Sequence, residues 1–134
     1  MILYFAWGLS LFSTFMSLIF SEILKYPPCS LCWYQRVFMY SLAVILPVGI
    51  ILKDKYLPYY LTTLSAFGFV LATYHSLIYH SIIAEVLTVC TADLSCKAKQ
   101  FELFNVFSIP VMSALSFILL MLIGLNGVLN EKRN

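Results

Sequence analysis

Residues 2–21 read ILYFAWGLSLFSTFMSLIFS, and no charge interrupts them before Glu22. At 1.5 Å per residue, ~20 apolar residues of helix cross the ~30 Å hydrocarbon core of a bilayer. The opening stretch is long enough to do so, and three more runs repeat it. Val37–Leu52 becomes a full span when Trp33, Tyr34 and Gln35 are added, with Arg36 at the rim. Tyr56–Ala84 carries no Asp, Glu, Lys or Arg and is most apolar between Tyr59 and Tyr79. Leu103–Asn130 is the fourth run. Strands of a membrane barrel would be ~10 residues of alternating polarity, and nothing in this chain alternates. The expected fold is all-α: an integral membrane four-helix bundle, one domain over 1–134, with helices near 2–21, 33–52, 59–80 and 103–130.

Composition agrees. Of the 134 residues, 62% are hydrophobic and 10% charged, against ~25% charged in globular domains. So short a soluble chain has too little interior for that much apolar surface. Disordered chains are poor in aromatics and rich in charge, which excludes disorder. Four cysteines are too few for a secreted disulfide miniprotein. A formal charge of +2 spread along the chain is no nucleic-acid-binding stripe. The first run has no basic n-region and no small-x-small cleavage site, so it reads as a retained helix.

Within the runs, small residues recur at helical spacing. Ala6, Ser10, Thr14, Ser17 and Ser21 line one side of the first, and Ser65, Gly68, Ala72 and Ser76 one side of the third. Such stripes let a neighbouring helix approach closely. Pro47 and Pro110 fall inside spans two and four, where bundle neighbours can satisfy the freed carbonyls.

Four spans put the Glu22–Arg36 and His80–Glu102 connections on one face, and the termini with the Lys53–Pro58 turn on the other. The basic residues divide evenly, with Lys53, Lys55, Lys132 and Arg133 opposite Lys25, Arg36, Lys97 and Lys99. Charge alone therefore gives only a lean towards a cytoplasmic short turn.

All four cysteines fall in the two connections that share a face. Cys29 and Cys32 form a Cys-x-x-Cys before span two, and Cys90 and Cys96 a Cys-x5-Cys in the longest loop. A zinc site on four thiolates suits the x5 spacing poorly. Covalent haem needs a histidine after the first pair, and residue 33 is Trp. Structural stapling suits Cys90 and Cys96, but a bridge between Cys29 and Cys32 closes almost no chain and stabilises little. Redox exchange fits the first pair best, because one thiolate of a Cys-x-x-Cys attacks while its neighbour resolves. If span two starts near Pro28, both thiols sit on its first turn, at the positive end of the helix dipole. Arg36 is then four residues beyond Cys32 on the same face. Its guanidinium can favour a thiolate and donate to an electron-accepting carbonyl; the plainer reading is an interfacial anchor.

His75 is the other ionisable group at membrane depth. From Tyr59 it lies ~24 Å along a helix, near the cysteine face. A functional role and a histidine bonded to a neighbouring helix are equally open. His80 and Glu85 read as solvated loop residues, and Tyr34, Tyr74 and Tyr79 as interfacial aromatics, with Trp33 also close enough to shape a pocket.

The segment Cys29-Ser30-Leu31-Cys32-Trp33-Tyr34-Gln35-Arg36 resembles the DsbB/BdbC family of membrane disulfide bond formation proteins. The likeness spans essentially the whole chain: four helices, Cys-x-x-Cys-x3-Arg before span two, and a second pair between spans three and four. The short Cys90–Cys96 spacing resembles the compact BdbC-like members. Thr73-Tyr74-His75-Ser76 looks like the family's histidine near the outer end of span three, and Ile109-Pro110 like its proline early in span four.

The resemblance implies a quinone-dependent thiol-disulfide oxidoreductase, with Cys29, Cys32, Cys90 and Cys96 catalytic and Arg36 and His75 at the cofactor. The implied partner is a thioredoxin-like extracytoplasmic thiol oxidase (DsbA/BdbD-like), which attacks Cys90–Cys96 and is held at Cys90. Cys96 then attacks Cys29, and Cys32, freed beside Arg36, reduces ubiquinone or menaquinone. The implied location is the bacterial cytoplasmic (inner) membrane, multi-pass, with lipid and quinone as further partners. The cysteine loops would be extracytoplasmic and the termini cytoplasmic; neither a metal nor nucleic acid is expected. The rival from another class is a small membrane binding or assembly protein whose cysteines are structural or metal-holding. A quinone reductase running the exchange backwards is less apt, since such proteins place the quinone-facing pair late in the bundle.

Overall fold

The computed structural model describes residues 1–25, 28–80, 82, 102–103 and 107–133. Cys90 and Cys96, with Pro27 and Glu85, lie outside the described residues. The fold is helical. α1 (Ile2–Leu18) runs on through a π-helical turn (Ile19–Ile23), followed by α2 (Ser30–Leu52), α3 (Leu57–Tyr79) and α4 (Ile109–Arg133). Each of the four is long and apolar enough to cross a membrane. Two two-residue strands, β1 (Glu102–Leu103) and β2 (Phe107–Ser108), pair antiparallel just before α4.

Several helix limits differ from the sequence expectation, and two of them bear on the site. α2 starts at Ser30 rather than 33, which draws Cys32 into the helix. α4 starts at Ile109 rather than 103, because Leu103 and Phe107–Ser108 are taken up in strand pairing. Pro110 thus stands on the first turn of α4, where its missing N–H would have no helical acceptor in any case. Pro47 lies inside α2, which runs through it to Leu52.

Successive helices pack side by side, and α4 returns to α1 to close the ring. The α3–α4 seam is the most extensive and the α1–α4 seam the least. Buried positions recur every three or four residues: Leu31, Gln35, Met39, Leu42, Leu46 and Gly49 on α2; Leu57, Leu61, Ser65, Gly68, Ala72, His75 and Ile78 on α3. That spacing keeps one stripe facing the bundle. The expected α3 stripe is right through Ala72 and then runs into His75, leaving Ser76 only half-buried. On α1, Ala6 and Ser10 are buried, but Thr14, Ser17 and Ser21 are only partly so.

Gly68 shows why the α3–α4 seam is tight. A Cβ at this position would run into the Phe117 ring of α4, and Phe117 is fully buried. Gly124 plays the converse part, letting the Thr62 backbone of α3 close on α4. Large apolar residues such as Phe5, Phe15, Val44, Phe67 and Val70 point outward, as lipid-facing positions do. At the far end, Lys53 adopts the left-handed conformation (φ 51°) and its N–H caps the Gly49 and Ile50 carbonyls. Asp54 then accepts from the Tyr56 N–H at 2.9 Å, closing the turn into α3.

Candidate redox site

Cys29 is the N-cap of α2, with an extended backbone (φ −70°, ψ 167°), and its carbonyl accepts from the Trp33 N–H at 3.2 Å. Cys32 lies one turn in. The two sulfurs are 3.4 Å apart and unbonded. α2 thus begins close to Pro28, which puts the pair at its positive end.

His75 reaches this pair from α3. Its Nε2 is 3.5 Å from Cys29 Sγ and its Nδ1 is 4.0 Å from Cys32 Sγ. The ring is nearly sealed from solvent, at 3% exposure, and Cys29 at 5%. Leu31 and Ile78 close around Cys29, with Tyr74 packed against the same cluster. His75 thus lies against both sulfurs, and it is also bonded to the neighbouring helix α2. The hydrogen bond from the Cys32 thiol, with His75 beside it, holds the Cys29 thiol below its ordinary range; burial opposes this without overcoming it.

Gln35 counts in the sequence only as a residue that extends the second span. It is buried at 6% exposure, and its Nε2 lies 3.0 Å from His75 Nδ1. The signal was present: Gln35 sits between Leu31 and Met39 at four-residue spacing, a polar side chain in an otherwise apolar stripe. A buried amide needs a partner, and a facing helix with one polar residue at depth offers it.

Arg36 makes contacts that its spacing from Cys32 does not foretell. Its Nη2 donates to the Ser17 carbonyl of α1 at 2.9 Å, and its guanidinium lies over the Trp33 ring, 5.4 Å from the centroid. Ser17 precedes the π-helical turn, and such turns recur at functional sites. Trp33 and Tyr34 are half exposed, as interfacial aromatics should be. Tyr79 is not: it is 5% exposed and faces the bundle, because α3 stays packed to its last turn. His80 is exposed, its ring edge-on to Tyr79.

Beside Cys32 opens a cavity of about 350 Å³ between α1, α2 and the start of α4, within the size range of small-ligand sites. Its walls are largely apolar, including Phe12, Met16, Met39 and Met112, with Arg36, Gln35, Tyr40 and several serines as the polar groups. Cys32 lines it and Cys29 does not. The Tyr40 hydroxyl is buried and has no hydrogen-bond partner among the described residues. A weakly packed α1–α4 seam leaves room for this space, which no linear pattern reveals.

The family model for disulfide bond formation protein DsbB matches residues 1–126 of this chain. The SPbeta prophage-derived disulfide bond formation protein B of Bacillus subtilis (strain 168) is 36% identical over 129 residues, covering 93% of this chain and 84% of that protein. Probable disulfide formation protein C 2 of Bacillus anthracis is 34% identical over 128 residues, covering 95% and 91%. A probable disulfide formation protein of Oceanobacillus iheyensis is 37% identical over 110 residues, covering 81% and 76%. No solved structure matches the chain.

Proposed function

Because this chain belongs to the DsbB family of disulfide bond formation proteins, we propose that it is a membrane thiol-disulfide oxidoreductase that reoxidises a thioredoxin-like extracytoplasmic dithiol. The observation that carries the reading is the division of labour within one pair. Cys32 opens on the cavity, while Cys29 is enclosed at the helix N-cap against His75.

The relay runs by thiolate attack. A partner thiolate attacks the Cys90–Cys96 disulfide, bonds to Cys90 and releases Cys96 as thiolate. Cys96 attacks Cys29 Sγ, the Cys29–Cys32 bond breaks, and Cys32 leaves with the electron pair. The second partner thiol then displaces Cys90, completing the partner's disulfide, and Cys90 displaces Cys29 from Cys96. One disulfide has been gained by the partner, and the Cys29–Cys32 pair holds the two electrons. His75 Nε2 is placed to hold a proton against Cys29 Sγ during this exchange.

The cavity suits a quinone head. It is apolar, adjoins Cys32, and presents a cation at Arg36 and a buried hydroxyl at Tyr40 that has an unused hydrogen to donate. A membrane quinone, when bound, supplies the two-electron acceptor; ~30 mV of potential difference corresponds to ~1.4 kcal/mol for such a couple. Arg36 and Tyr40 would hold its oxygens, and the surrounding methionines and phenylalanines exclude water. The cysteine connections are placed outside the cytoplasm, since disulfides persist there and are reduced within.

The test uses purified protein in detergent and a reduced thioredoxin-like partner. Wild-type protein should carry quinone that the partner reduces. Cys90→Ser should abolish exchange with the partner, while Cys32→Ser should still trap the partner at Cys90 yet leave quinone oxidised. Partner oxidation at wild-type rate by Cys90→Ser would make the long loop a structural staple and end the relay scheme.

A further inference from the structure

The sequence offers zinc only a set of four thiolates at an awkward spacing. The fold supplies a different set. Cys29 Sγ, Cys32 Sγ and a ring nitrogen of His75 all lie within 4.8 Å of one another, drawn from two helices that meet at this point. Two thiolates and an imidazole are the ligand types that thiophilic d10 cations prefer.

We propose that the reduced Cys29–Cys32 pair and His75 form a binding site for a thiophilic divalent cation of the zinc class, open only in the dithiol state. His75 Nε2, on the Cys29 side, is the ligating nitrogen. The other nitrogen, Nδ1, faces the Gln35 amide at 3.0 Å. Metal-bound histidines almost always donate that second N–H to an oxygen, which fixes ring orientation and tautomer. A half-turn of the Gln35 amide presents its oxygen to Nδ1–H, so the supporting shell is already in place. Cys32 borders the cavity, which leaves the fourth position of a tetrahedral ion to an exchangeable ligand. An ion held by three protein ligands with one open position can leave again.

Binding is charge-balanced without electron transfer. The cation replaces two thiol protons, which are released, and each sulfur donates a lone pair to the metal. Forming the Cys29–Cys32 disulfide removes both thiolates and ejects the ion. While the ion is bound, the pair cannot close, so the metal arrests reoxidation at the two-electron-reduced stage. This last consequence rests on the relay proposed above; the binding itself does not.

Cadmium is the probe, because its thiolate complexes absorb in the ultraviolet and it has no redox chemistry of its own here. The protein carries Cys90→Ser and Cys96→Ser, so that only the membrane pair is titrated. Reduced protein should bind one Cd2+ per chain with a thiolate charge-transfer band that Zn2+ displaces, and the same protein with Cys29–Cys32 oxidised should bind none. Gln35→Leu should weaken binding roughly ten- to a hundredfold, and His75→Ala by more. Absence of the band in reduced protein, or an equal affinity in the oxidised form, overturns the proposal. An unchanged affinity in both His75→Ala and Gln35→Leu also overturns it, since two thiolates alone would then suffice. The oxidised and reduced forms are one folded protein, stripped of bound quinone before the titration, and no partner is present. Failure of the metal site therefore leaves the relay standing, and failure of the relay leaves the titration unaffected.

Discussion

Gln35 of α2 and His75 of α3 meet in the bundle interior, Nε2 to Nδ1 at 3.0 Å, one turn below the Cys29–Cys32 pair. Both side chains are buried, so each satisfies a polar group the other would otherwise leave unpaired. The contact fixes how the imidazole faces the sulfurs.

Gln35→Leu should therefore do two things. Leaving His75 Nδ1 buried without a partner costs ~1–3 kcal/mol of stability, read as a lower unfolding temperature in detergent. Reoxidation of Cys29–Cys32 should slow, while trapping of the partner at Cys90 is unaffected. Gln35→Glu puts an accepting carboxylate where the amide N–H donates to Nδ1, so it should recover less of the rate than a donor would. Equal rates for Gln35→Leu and wild type would reduce the contact to packing.

Arg36 ties α2 to the Ser17 carbonyl of α1, so its removal should also loosen the bundle. If Arg36 also donates to a quinone oxygen, Arg36→Ala should lose that charge-assisted hydrogen bond, ~1.5–3 kcal/mol, corresponding to roughly ten- to a hundredfold in quinone use. Arg36→Lys keeps the charge without the planar fork and should be intermediate. A quinone titration of the three variants, with partner exchange measured separately, checks the order. Identical quinone dependence would leave Arg36 as a membrane anchor.

Tyr40→Phe separates ligand binding from folding. The hydroxyl has no partner among the described residues, so deleting it should leave thermal stability unchanged or slightly raised. If it donates to a quinone oxygen, the apparent quinone KM should rise roughly two- to tenfold, the worth of one neutral hydrogen bond. A clear stability loss with unchanged KM would point to a protein partner instead.

Gly68→Ala tests the α3–α4 seam. Alanine favours helix over glycine by ~1 kcal/mol, yet its Cβ would meet the Phe117 ring. Overpacking of this kind costs ~1–3 kcal/mol, so the net change should be a lower unfolding temperature. Phe117→Leu should relieve part of the cost when combined with Gly68→Ala, giving a coupling that neither change shows alone.

The sequence by itself determined the membrane class, the four spans and the cysteine spacing, because these depend on local quantities. An uncharged run long enough to cross a bilayer needs no partner to be recognised. The spacing of Cys29, Cys32 and Arg36 is legible in one short segment, and so is the family likeness. Other features depended on which helix faces which. His75 lies against the sulfurs, and Gln35 behind it, only because α2 and α3 align buried stripes whose polar members coincide in height. Arg36 turned to the Ser17 carbonyl because α1 passes within its reach. The start of α4 moved to Ile109 because Phe107 and Ser108 pair as a strand with Glu102 and Leu103. The cavity beside Cys32 belongs to three helices at once. Hydropathy and periodicity fix how each helix is buried, but the rotation and height of one helix against another come from side-chain packing, and that interaction has no linear signature.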